Sequence, residues 1–138
     1  MNEDGVSSHV AESVKELSYG LADLPAVREF AAEQALRRGM PESMVGDFLV
    51  ALNEVATNAV THGAAKGRLR LWLEGPCLVT ELHDEGTTWR PPEEPGLTPP
   101  AENATSGMGL WVARKLSETL GVVTGVEGTT VTMRFRIA

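Results

Sequence analysis

The chain has 138 residues, 42% of them hydrophobic and 22% charged, with a formal net charge of −7 and a pI near 4.9. That length makes one ordinary domain with a real core, the composition is that of a folded soluble protein, and the acidic balance excludes a general nucleic-acid binder, which needs a basic face to neutralise phosphates. Cys77 is the only cysteine, which excludes an internal disulfide and a cysteine-based metal cluster. The uncharged stretches are too short to span a bilayer, and no basic segment leads into an apolar one near the N-terminus, so a cytoplasmic setting away from membrane is expected.

Residues 1–13 are polar, lack apolar periodicity and read as a loose arm, leaving 14–138 as the folded domain. Lys15 to Leu21 (KELSYGL) predicts a short strand. Asp23 as an acidic cap and Pro25 in the first turn open a helix that ends near Gly39, with Val27, Phe30, Ala31, Ala35 and Leu36 as its core face. A longer helix is predicted from about Glu42 to His62, with Met44, Val45, Phe48, Leu49, Leu52, Val55, Ala56 and Ala59 at helical spacing and Gly63 as its stop. Arg68 to Glu74 alternates strictly and pairs with Cys77 to His83 across Gly75-Pro76 as a hairpin, in which Cys77 reads as a small buried strand residue. From Asp84 to Ser106, five prolines and no apolar period predict a long loop of the kind that serves as a lid. A third helix over Met108 to Leu120 stops at Gly121, and strands at Val122 to Val126 and Thr129 to Ile137 close the chain around Glu127-Gly128. The order β, α, α, β, β, lid, α, β, β implies an α+β two-layer α/β sandwich, with helices on one face of a mixed, mostly antiparallel sheet.

Four short segments carry candidate chemistry. On the long helix Glu54, Asn58 and His62 are spaced i, i+4, i+8, which sets them along one stripe. An amide oxygen is a hard ligand suited to Mg²⁺, and a nearby carboxylate can orient or deprotonate a nucleophile; taken alone, the stripe reads first as a solvated face with His62 as a C-terminal helix charge. Asp84 and Gly86 sit where an apolar strand ends. Asp84 could accept a hydrogen bond from an exocyclic amine such as that of adenine, and Gly86 would let a ring approach the backbone, although Asp-x-Gly is also an ordinary turn. Ser106-Gly107-Met108-Gly109-Leu110 leads into the third helix, where free backbone N–H groups and the helix dipole suit a phosphate; the dinucleotide fingerprint and the P-loop both fail to fit, and a bare Gly-x-Gly also serves as a hinge. Gly128-Thr129-Thr130-Val131 opens the last strand, as a tight turn into β-branched residues often does. His83 reads as strand surface, and the three histidines show no metal-ligand spacing.

In this order the segments resemble the motifs of the GHKL (Bergerat-fold, histidine-kinase-like) ATPases. Ala51 to Gly63 (ALNEVATNAVTHG) is similar to the N box, Asp84-Glu85-Gly86 to the first glycine box, Gly107-Met108-Gly109-Leu110 to the second, and Gly128-Thr129-Thr130-Val131 to the closing Gly-Thr motif. The short length, the Glu-x-x-x-Asn-Ala-x-x-His-Gly form and Gly109 to Leu116 (GLWVARKL) look most like the anti-sigma factor serine kinases of that superfamily. The resemblance implies a Bergerat ATP-binding fold with ATP and Mg²⁺ as cofactors. It implies Asn58 as the metal ligand, Glu54 as the catalytic base for serine/threonine phosphorylation, Asp84 on the adenine amine, Gly86 beneath the ring and Thr129 near the adenine edge. Ser106, Gly107, Met108, Gly109 and Leu110 would wrap the phosphates, and His62 joins the nucleotide-binding set. The implied partners are a sigma factor and an anti-anti-sigma (STAS-type) protein, with a homodimer as the assembly and no direct nucleic-acid contact. Two departures bear on this: Thr88 stands where many relatives have a second glycine of the first box, and Arg90 is the only cation of the expected lid. The alternative is a non-catalytic ATP-binding module that controls a protein partner through lid ordering. The catalytic half of a sensor histidine kinase would need a dimerising helical hairpin for which the chain has no room, and a sandwich that binds only protein is the plainest reading.

Overall fold

The computed structural model describes residues 14–63, 66–85 and 108–138, with the backbone alone for His62, Gly63 and Met108. β1 (Lys15–Gly20), α1 (Leu24–Arg37), α2 (Glu42–Asn58), β2 (Lys66–Glu74), β3 (Cys77–Asp84), α3 (Met108–Leu116), β4 (Thr119–Gly125) and β5 (Gly128–Arg136) follow the expected order. The expected arm at residues 1–13 and the expected lid, with Gly86, Ser106 and Gly107, lie outside the described residues.

The sheet runs β1-β2-β3-β5-β4, and each neighbouring pair is antiparallel, so the described sheet is antiparallel throughout and not mixed. Strand alternation sends Leu69, Leu71, Leu78, Leu82, Val131, Met133 and Phe135 to one face, where all seven are buried. Three helices cover that face: Val27, Ala31 and Ala35 come from α1, Phe48, Ala51, Leu52, Val55 and Ala56 from α2, and Leu110 and Ala113 from α3. The ring of Phe48 meets that of Phe135 edge to face, with centroids 4.9 Å apart, which ties the centre of α2 to the last strand. The result is the expected α+β two-layer sandwich. Its other face carries ion pairs such as Arg134–Glu74 at 2.7 Å and Arg70–Glu16 at 3.4 Å.

Local hydrogen bonding moves several expected boundaries. The Asp23 side chain does not cap α1; its Oδ2 accepts from the Gly20 N–H at 2.9 Å and tightens a 3₁₀ turn at Leu21–Asp23 between β1 and the helix. At the other end Gly39, with φ of 101°, closes a Schellman motif in which the Met40 N–H reaches Ala35 O at 3.0 Å and the Gly39 N–H reaches Leu36 O at 3.1 Å. The buried stripe of α1 is Val27, Ala31, Gln34 and Ala35, at i, i+4, i+7 and i+8, so Leu36 falls one residue off it and is 46% exposed. Gln34 is tolerated there because its Oε1 accepts from Arg38 Nη1 at 2.7 Å. Cys77 is half-buried at the first position of β3, less enclosed than expected.

Two helix ends differ more. α3 stops at Leu116, a turn before the expected Leu120: the Ser117 N–H still makes the helical bond to Ala113 O at 3.0 Å, with the Ser117 hydroxyl on the same oxygen at 2.8 Å, and the next N–H leaves the helix. The Glu118 N–H then goes to Arg134 O at 2.7 Å and Arg114 Nη2 takes Leu120 O at 2.8 Å, so the chain joins the β5 ladder early. The long helix is α-helical only to Asn58 and continues as a π-helix over Ala59–Gly63. α-Helical spacing therefore carries Glu54 and Asn58 together but ends before His62.

Truncating the ring that joins α2 to β5 tests this core. Phe48→Ala should cost about 3–5 kcal/mol of unfolding free energy, measured by urea denaturation; a loss below about 1 kcal/mol would contradict the fully buried placement of Phe48.

Candidate functional site

The site begins with a row of residues across the helix-facing side of the sheet. The register pairs Tyr19 with Gly67, Gly67 with Asp84, Asp84 with Thr129 and Thr129 with Thr124, one residue from each strand. Along the strands, the next row on that face is apolar: Leu17, Leu69, Leu82, Val131 and Val122. Three polar side chains of the first row are nonetheless buried, Tyr19 at 2%, Asp84 at 4% and Thr129 at 1% exposure. A buried carboxylate and hydroxyl side by side at strand ends are costly unless partnered, which marks the row as more than packing.

Two glycines make the row possible. Gly128 has φ of 114°, and a Cβ there would run into the carbonyl oxygen of Asp84 and the Cα of Glu85. β5 therefore starts pressed against the end of β3, with Thr129 directly beside Asp84. At Gly67 a Cβ would lie 2.7 Å from Cζ and from the hydroxyl oxygen of Tyr19, so the phenol ring occupies the space a side chain would need. The Tyr19 hydroxyl donates to Ala56 O on α2 at 3.1 Å. Burial first, and then the Asp84 carboxylate, push that hydroxyl well above its ordinary value, so it remains a protonated donor.

The helices supply the opposite wall. Glu54 and Asn58, one turn apart on α2, face the first turn of α3 at Gly109: a Cβ on Gly109 would lie 3.0 Å from Asn58 Nδ2 and 3.1 Å from Glu54 Oε1. The buried Gly109 thus lets the start of α3 reach both side chains. Between helices and sheet, Val55, Asn58, Ala59, Leu82, Asp84, Leu110 and Val131 line a cleft of about 10 Å³, room for roughly one water. On its other flank Glu54 borders a groove of about 220 Å³ with Arg28, Leu49, Val50 and Asn53, where Arg28 Nη1 donates to Asn53 Oδ1 at 3.0 Å. The carboxylate therefore stands between the start of α3 and an open surface.

Two polar atoms at the site are buried without a hydrogen-bond partner, Asn58 Nδ2 and Thr129 Oγ1. Leaving such groups unsatisfied costs on the order of 1–3 kcal/mol each, and a polar ligand in the cleft would relieve it. In chemical kind these groups suit a nucleotide and its metal: a side-chain amide whose oxygen and nitrogen exchange by rotation, a carboxylate able to accept from an amine, a hydroxyl, and glycine backbone at a helix start. Of the expected site residues, the structure brings together Glu54, Asn58, Asp84, Gly109, Leu110 and Thr129. Leu110 is a fully buried wall of the cleft. Gly86, Ser106 and Gly107 fall outside the described residues, and the backbone positions of His62 and Met108 are the π-helix and the first residue of α3. Tyr19 and Gly67 were not expected in the site; the strand begins at Lys66, two residues before the expected Arg68, which puts Gly67 inside it. His83, expected at the strand surface, is part-buried on the far face and its Nδ1 meets Thr130 Oγ1 at 2.8 Å.

The fold is an α+β sandwich with a cleft, lined in part by Asn58 and Asp84, between its helices and its sheet. The chain belongs to the histidine kinase-like ATPase domain family, whose model matches residues 17–135, and membership implies ATP binding. Among solved structures, the crystal structure of the RsbU and RsbW domains of Rv1364c from Mycobacterium tuberculosis is similar over 89% of this chain, with a TM-score of 0.66 and 22% identity. This chain spans 32% of that protein's length. The histidine kinase AdeS of Acinetobacter baumannii is similar over 89% of this chain and 68% of its own, with a TM-score of 0.55 and 13% identity. At these identities the likeness is one of fold. No curated protein sequence matches the chain. Among the described residues no helix is long and apolar enough to cross a membrane.

Tyr19 is the only tyrosine, so phenolate absorbance reports this group alone. Its folded-state pKa is raised, so the unfolded chain gives up the phenol proton first, near pH 10. Stability present below that pH should be lost as pH rises above it, by about 1.4 kcal/mol per pH unit for one proton. The phenolate signal should therefore appear together with unfolding, and Tyr19→Phe should flatten the alkaline loss of stability. A reversible phenolate titration near pH 10 in the folded protein would contradict the burial.

Proposed function

We propose that this chain is an ATP-dependent serine/threonine kinase of the anti-sigma type. It would sequester a sigma factor and phosphorylate a serine on an anti-anti-sigma (STAS-type) protein, as a homodimer in the cytoplasm, with 14–138 as the ATP-binding domain. The reading rests on the motif resemblance and on likeness to a structure that contains an RsbW domain. The observation that carries it is the place of Glu54, a carboxylate one turn from Asn58, against Gly109, with an open groove on its other side. Asn58 would hold Mg²⁺ through its amide oxygen. Asp84 and Thr129 would meet the adenine edge with Gly86 beneath the ring, while Ser106, Gly107, Met108, Gly109 and Leu110 would enclose the phosphates at the start of α3. Bound Mg·ATP supplies the phosphoryl group. Glu54 accepts the proton that the serine hydroxyl loses as it approaches from the groove side.

The rival reading, a non-catalytic module whose partner affinity follows nucleotide binding, is favoured by Arg90 being the only cation between residues 86 and 106. Phosphate incorporation into candidate anti-anti-sigma proteins from the same genome, measured beside nucleotide affinity, separates the two. Glu54→Gln should keep ATP affinity within about twofold and lower incorporation by roughly 10²–10⁴, toward the lower end because phosphoryl transfer is largely positioning. Asn58→Ala should lower both Mg-dependent affinity and incorporation. Incorporation by Glu54→Gln at the unmutated rate would remove Glu54 as the base. An unmutated protein that binds ATP and sigma factor yet labels no substrate would put the regulatory module in first place.

A further inference from the structure

We propose that Tyr19 is a positioning residue for base selection: packed over Gly67 and bonded to the Ala56 carbonyl, it holds the Asp84 carboxylate in register with α2 so that the site prefers adenine to a 6-oxopurine. The inference deepens the nucleotide-site reading above and rests on it. Tyr19 comes from the edge strand, two strands away from Asp84, and it reaches inward only because β2 has no side chain at the intervening position. Its ring fills that place, with Cζ, the hydroxyl oxygen and Cε1 at 2.7, 2.7 and 2.9 Å from where a Gly67 Cβ would stand. Gly67 is in turn the register partner of Asp84, so the ring lies over the backbone that is paired with the carboxylate's own residue.

The hydroxyl completes the link. A phenol has one proton to donate, and here it goes to Ala56 O at 3.1 Å, two residues before Asn58 and just ahead of the turn where α2 gives way to the π-helix. Tyr19 therefore ties the sheet at Gly67, the register partner of Asp84, to α2 at Ala56, two residues before Asn58. With that proton used on Ala56, Tyr19 does not donate to Asp84 and acts on it only through the backbone of Gly67. An ionised carboxylate accepts from the 6-amino group of adenine and repels the 6-carbonyl of hypoxanthine, so how firmly it is held sets how well the two bases are told apart. A phenylalanine would fill the Gly67 hollow equally well. What the tyrosine adds is the bond to α2.

The test compares Mg·ATP, Mg·ITP and Mg·tripolyphosphate binding, by calorimetry on the whole chain, for the unmutated protein, Tyr19→Phe and Gly67→Ala. Tripolyphosphate carries no base and reports the phosphate and metal end alone. The unmutated protein should prefer ATP to ITP. Tyr19→Phe should weaken ATP about fivefold, a typical effect of losing one hydrogen bond, and leave ITP and tripolyphosphate unchanged, so the ATP:ITP ratio falls by the same factor. Gly67→Ala, which keeps the hydroxyl but drives a Cβ into the ring, should lower the ratio in the same direction and gives a second route if the first variant folds poorly. A merely structural Tyr19 would lower all three affinities together, and that result, or an unchanged ATP:ITP ratio in both variants, overturns the inference while leaving the nucleotide site standing. If the unmutated protein binds none of the three, the nucleotide reading itself fails and this inference with it.

Discussion

Asp84 is a carboxylate with 4% exposure at the end of a central strand, where it must be met by polar groups or be costly to fold. Much of the site's architecture can be read as the means of keeping it there. Gly128, at φ of 114°, brings the start of β5 against the Asp84 carbonyl and sets Thr129 beside it. Gly67 gives up its own side chain so that Tyr19 can lie across β2. The neighbouring row of Leu17, Leu69, Leu82, Val131 and Val122 is apolar and ordinary. The polar row is thus a local exception on a sheet face whose one other buried polar side chain, among the described residues, is Thr80, as expected where function overrides the pattern.

The helical wall shows the same economy of side chains. Gly109 brings α3 close to Glu54 and Asn58, and Leu110 and Ala113 behind it are buried against the core. α2 is held at its middle by Phe48 on Phe135 and near its end by Tyr19 on Ala56, so Asn58 stands at the last turn of a helix fixed at two points. Beyond it the π-helix leaves the α-helical track. Helices interrupted in this way are frequent at functional sites, because the widened turn re-aims the residues that follow.

The long elements were legible in the sequence because each has a clear period and end signals: α2 from Phe48, Leu52, Val55 and Ala56, and the β2–β3 hairpin from strict alternation around Gly75-Pro76. The order of elements likewise implied the sandwich. Boundaries failed where a backbone group found a partner outside its expected element, the Glu118 N–H on Arg134 O at the end of α3 and the Gly20 N–H on the Asp23 side chain. Leu36 failed because a one-residue shift rotates a helical face by about 100°. In the candidate site, Glu54, Asn58 and Asp84 were singled out by residue type and motif order, and the fold places Glu54 and Asn58 at Gly109 and Asp84 across the cleft from Asn58. Tyr19 and Gly67 were not, since their role depends on β1 pairing with β2, strands separated by two helices, and that pairing has no turn to announce it.

The account depends on the cleft between Asp84 and Asn58 being a nucleotide site. Thermal unfolding with and without Mg·ATP measures this most directly, since a ligand bound only by the folded state stabilises it by about 2.7 kcal/mol at a hundredfold excess over Kd. Mg·ATP should raise Tm by several degrees in a concentration-dependent way. A Tm unchanged by millimolar ATP and by ADP would contradict the account.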